Sequence, residues 1–85
     1  MQTFQYTIKD EVGLHARPAG MLTKFAQGCS SDIKIVLNGK TADAKRLFSV
    51  MALGAKKDQK LVFEIIGAQE QEDCAKLQEF CEQNI

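Results

Sequence analysis

The chain has no tryptophan, one histidine, one proline and one tyrosine among its 85 residues, and its 11 Lys and Arg are matched by 11 Asp and Glu. Each scarcity excludes something. A net charge of zero supplies neither an electrostatic sleeve for nucleic acid nor a basic face for a membrane surface. No apolar run approaches the roughly 20 residues needed to cross a bilayer, and the first residues form neither a basic segment nor an apolar signal region. Direct membrane insertion is therefore not expected, and a cytoplasmic protein is. One histidine excludes a multi-histidine metal centre. The cysteines Cys29, Cys74 and Cys81 are odd in number and lack C-x-x-C spacing, so they read as reduced packing residues. Neither G-x-x-x-x-G-K-[ST] nor G-x-G-x-x-G occurs. No cofactor and no metal are expected.

What is present is enough patterned sequence for a single domain over residues 1–85. Phe4, Tyr6 and Ile8 alternate with polar residues, the period of a half-buried strand. From Ala16 to about Gln27 the period becomes helical, with Pro18 in the first turn and Gly28 as the stop. Ile33, Ile35 and Leu37 alternate again, and Asn38-Gly39 predicts a tight hairpin into a short strand over 40–43. Residues 45–53 predict a short helix ending at Gly54, 60–66 a last strand, and the segment from Glu70 a helix with Cys74, Leu77, Phe80 and Cys81 on one stripe. The order βαββαβα predicts a two-layer α+β sandwich.

The run Gly13-Leu14-His15-Ala16-Arg17-Pro18-Ala19 places the only histidine at the start of the first helix. A lone histidine in a small domain is more often an ordinary surface residue than a reactive one. Three neighbours argue otherwise. Gly13 permits unusual backbone before it, Pro18 starts the helix after it, and Arg17 brings a fixed cationic fork within two residues. A neutral imidazole nitrogen can attack phosphorus, and the helix N–H groups of Ala16 and Arg17, with the guanidinium, suit the oxygens of the resulting phosphoramidate. Such a site suits carrying a phosphoryl group rather than hydrolysing it.

These residues, the segment 40–48 and the spacing of elements resemble the HPr family, the histidine phosphocarriers of the bacterial sugar phosphotransferase system. The resemblance implies an open-faced β-sandwich with a four-stranded antiparallel sheet covered on one side by three helices. It also implies that His15 accepts a phosphoryl group on Nδ1 from enzyme I, charged by phosphoenolpyruvate, and passes it to sugar-specific IIA proteins, with Arg17 assisting. The protein is then a covalent intermediate in a relay rather than an enzyme, and a monomer. Partner docking is implied for Ala16, Gly20, Met21, Thr23, Lys24 and Gln27 of the first helix and for Leu47, Phe48 and Met51 of the short one, with Lys24, Lys45 and Arg46 as a basic rim. Taken alone, Leu47, Phe48 and Met51 would read as core. Many relatives carry at position 46 a regulatory serine phosphorylated by an ATP-dependent kinase; here it is Arg46, so that switch is not expected, and Ser49 reads as an ordinary helix serine.

Two alternatives remain. Regulatory HPr-like proteins lack the histidine and keep the serine, the reverse of this chain. A module binding single-stranded nucleic acid needs exposed aromatics and a basic face, and this composition offers neither.

Overall fold

The computed structural model describes all 85 residues, in the order β1 (Gln2–Thr7), α1 (Ala16–Gln27), β2 (Asp32–Leu37), β3 (Lys40–Asp43), α2 (Leu47–Ala52), β4 (Lys60–Ile66) and α3 (Glu70–Asn84). The four strands form one sheet in the order β1-β4-β2-β3, antiparallel at every step. The expected open-faced α+β sandwich is what the chain builds. Register decides which side is buried. Pairing Tyr6 with Leu61 and Ile35 with Phe63 puts Leu61, Phe63 and Ile65 in line with Ile33, Ile35 and Leu37 beneath the helices, and Phe4 stacks on Phe63 with ring centroids 4.9 Å apart. On the open side Lys34 pairs with Glu64 on one neighbour and Asp43 on the other, its ammonium 3.5 Å from Glu64. That alternation of charge keeps the uncovered side wet.

Leu22 and Ala26 of α1 and Leu77 and Cys81 of α3 are fully buried against this sheet, and Phe25 stacks on Phe80 where the two helices meet, 4.9 Å between centroids. Each buried aliphatic side chain contributes about 1.5–3 kcal/mol. Burial of apolar stripes, more than helix propensity, therefore fixes where the helices lie. The hairpin between β2 and β3 forms as expected, with Asn38 at φ 50° and Gly39 at φ 82°, the left-handed pair that matches strand twist.

One local expectation fails. Helix α2 begins at Leu47, two residues later than its apolar pattern suggests, because Arg46 is extended (φ −119°, ψ 111°) and the Lys45 N–H is taken by the Asp43 carboxylate at 2.9 Å. Gly28 ends α1 as expected, with φ −80° rather than a left-handed backbone; its N–H bonds back to the Phe25 carbonyl at 3.0 Å.

Candidate functional site

The loop from β1 to α1 is pinned at several points before it reaches His15. Backbone N–H groups of Lys9 and Asp10 both donate to the Ile85 carbonyl, at 3.0 and 2.8 Å, and the Leu14 N–H donates to the Ala55 carbonyl at 2.9 Å. Leu14 itself is buried. Between these anchors Asp10 makes a turn, its Oδ1 accepting the Val12 N–H at 2.9 Å and its carbonyl the Gly13 N–H at 3.0 Å. Gly13, at φ +80°, lies directly against the Ala55-Lys56 backbone. The chain thus arrives at His15 with little freedom.

His15 is the residue that caps α1, extended at φ −85°, ψ −171°, and its side chain makes no capping bond. Its carbonyl accepts the first helical bond, from the Ala19 N–H at 2.9 Å. The N–H groups of Ala16 and Arg17 stand in the first turn, where no intrahelical acceptor exists, and Pro18 carries none. The ring is 40 % exposed, so a reacting group can reach it; Nε2 lies 3.8 Å from Asp10 Oδ1, in ion-pair range but too long for a hydrogen bond. His15 and Arg17 share a cleft of about 260 Å³ whose other walls are Asp10, Pro18, Met21, Gln83 and Asn84. A larger groove, about 360 Å³, runs over the open sheet beside Ser49. It holds no imidazole, and its three carboxylates, Asp32, Asp43 and Glu64, outnumber its one cation, Lys34, which pairs with Glu64.

Asp10, Gln83 and Asn84 have no place in the sequence-based site. Asp10 carried a faint signal, an aspartate three residues before a glycine, which favours an Asx turn. Gln83 and Asn84 carried none, because they arrive from the far end of the chain.

The expected docking residues divide. Ala16, Met21, Lys24, Arg46, Phe48 and Met51 are exposed, and Phe48 is 83 % so. Gly20 is half-buried, and Leu47 is half-buried against the core. Thr23 is a correction: it is buried, and its hydroxyl finds no hydrogen-bond partner. Helix α2 packs against α1, so part of the face expected to be free is covered. Lys45 is a second correction. Its ammonium is not a free rim charge but donates to the Cys29 carbonyl at 3.1 Å, while Gln27 donates its side-chain amide to the Lys45 carbonyl at 3.0 Å.

A sheet open on one side, with a lone half-exposed histidine heading the first helix and an arginine two residues on, defines a class of small one-histidine sandwich proteins. The family model described as "PTS HPr component phosphorylation site" matches residues 2–83, and the chain belongs to that family, the HPr phosphocarriers of the phosphotransferase system. It is 35 % identical to the phosphocarrier protein HPr of Mycoplasma genitalium over 85 residues, covering 99 % of this chain and 97 % of that one. Against the HPr of Mycoplasma capricolum the identity is 40 % over 67 residues, 79 % of this chain and 75 % of the relative. In three dimensions the chain resembles HPr from Thermoanaerobacter tengcongensis with a TM-score of 0.93 at 30 % identity, covering 99 % of this chain and 94 % of that structure.

Proposed function

We propose that this protein receives a phosphoryl group on His15 from phosphorylated enzyme I and hands it to IIA proteins in sugar uptake, acting in the cytoplasm as a single-domain monomer. The observation that carries the proposal is the exposed ring of His15 at the head of α1, in one cleft with Arg17. In the first leg a lone pair on Nδ1 of His15 attacks phosphorus, a new N–P bond forms, and the N–P bond to the donor ring breaks; positive charge passes from one imidazole to the other. The Ala16 and Arg17 N–H groups and the guanidinium of Arg17 receive the phosphoryl oxygens. The second leg reverses these roles with an acceptor on the IIA protein. Alignment by docking, rather than acid or base catalysis, supplies the rate.

The exposed face of α2, Phe48 and Met51, together with Met21 on α1, supports docking next to the cleft. A methionine-containing patch repacks against unlike partners. Lys24 and the exposed Arg46, which faces the Asp43 carboxylate at 3.8 Å, are the cations beside it. Arg46 stands where many relatives carry a regulatory serine, so the carrier role is retained without that switch. Incubating the protein with an HPr kinase and ATP leaves its intact mass unchanged on this reading; one phosphate gained at Ser49 would contradict it.

The decisive experiment mixes the protein with enzyme I, Mg²⁺ and phosphoenolpyruvate. An acid-labile phosphate on the wild type and none on His15→Ala is expected. Equal labelling of the two, or no labelling of the wild type, refutes the proposal.

A further inference from the structure

Helix α2 is six residues long, starts without a side-chain cap and buries one residue fully, Val50. A segment this short does not hold a helical shape or a position by itself. Val50, Leu47 and the contact with α1 supply part of its placement, and the chain that leads into it supplies more. Two of the bonds there run in opposite directions across one junction: the Gln27 amide to the Lys45 carbonyl, and the Lys45 ammonium to the Cys29 carbonyl. Residues 27–29 form the end of α1 and the turn after it, where partial negative charge on the free carbonyls favours a cation. Asp43 adds a third tie by accepting the Lys45 N–H at 2.9 Å.

We infer that Gln27 and Lys45 form a reciprocal clasp that positions α2, and that they act on partner docking through Phe48 and Met51 rather than by touching the partner. Neither bond closes the junction alone. The Gln27 bond holds the backbone of residue 45, and the Lys45 bond holds the backbone of residue 29, so losing either loosens the junction even while the Asp43 carboxylate keeps the Lys45 N–H. Arg46 is different: its guanidinium lies 3.8 Å from the Asp43 carboxylate, and the side chain is 77 % exposed. It is free to meet a partner's charge directly.

The consequence for docking rests on the carrier role proposed above; the clasp itself does not. Gln27→Ala, Lys45→Met and the double variant are compared with Arg46→Ala in phosphoryl transfer from enzyme I. Each single clasp variant raises KM about 2- to 10-fold, the worth of one hydrogen bond, while kcat stays within about twofold. The double variant is no worse than the poorer single one, and the effect persists at high salt, whereas that of Arg46→Ala fades. Additive losses, or a Lys45→Met defect that vanishes at high salt, overturn the clasp. Hydrogen exchange reads it without any partner: the Val50 N–H, bonded to the Arg46 carbonyl at 3.1 Å, exchanges faster in both single variants. Unchanged exchange refutes the clasp. A wild type that takes no phosphate refutes the carrier role instead, and exchange still decides the clasp.

Discussion

At Gly13 two demands coincide. The backbone is left-handed at φ +80°, and a Cβ there would stand 2.4 Å from the Ala55 carbonyl oxygen and 2.7 Å from the Lys56 Cα. Left-handed backbone alone costs a non-glycine residue about 1–2 kcal/mol, and the clash is with main chain, which cannot rotate aside. Gly13→Ala should therefore lower the unfolding free energy by more than about 2 kcal/mol in urea denaturation. A loss well below that would mean the Ala55-Lys56 segment yields easily. Cys81 makes a different point about burial. Removal from water pushes its thiol up to about 12, helped by the charge of Glu82, against an ordinary value of 9.0. Above pH 9 the unfolded chain sheds a proton that the folded chain keeps, so stability falls as pH rises from about 9 towards 12. Denaturation across that window should show a steeper loss for the wild type than for Cys81→Ala. Below it Cys81 should resist thiol reagents until the chain is unfolded, and labelling under native conditions would contradict the burial.

Helix α2 shows what one element can and cannot reveal in advance. Its exposed Phe48 and buried Val50 lie two residues apart on opposite sides, so their roles separate cleanly. Phe48→Ala should leave stability within about 0.5 kcal/mol and, on the docking role proposed above, raise KM in transfer from enzyme I by roughly fivefold or more, as loss of an aromatic anchor does. A stability loss of several kcal/mol would instead make Phe48 a core residue. The strands were legible because alternation is local: Phe4 with Tyr6, and Ile33 with Ile35, announce their buried side within four residues. The start of α2 was not legible, since it depends on the Asp43 side chain and on bonds from Gln27 and Lys45 that bridge 16 to 18 positions. The resemblance implied Thr23 as a docking residue, and its burial in the folded chain was not part of that inference. His15 and Arg17 were visible through their spacing from Gly13 and Pro18. Asp10 left a faint turn signal, whereas Gln83 and Asn84 joined the cleft through tertiary folding, which no local pattern encodes.

At the scale of the whole molecule, stability is unevenly shared. β4 is paired on both sides, to β1 and β2, and buries Leu61, Phe63 and Ile65 completely. α2 buries only Val50 fully. Hydrogen exchange should be slowest in β4 and the facing part of β2, opening only with global unfolding, and much faster in α2. Comparable protection in both would mean the docking helix is part of the main cooperative unit. The sheet order also has a consequence in time. β1 finds its only partner in β4, with Gln2 opposite Ile65, and the loop that carries His15 hangs on Ala55 and Ile85. The His15 loop waits for segments synthesised after it. During synthesis the histidine emerges before β4 and the Ala55 segment, so its scaffold closes only after these have left the ribosome, and partly made copies hold an imidazole without the cleft around it.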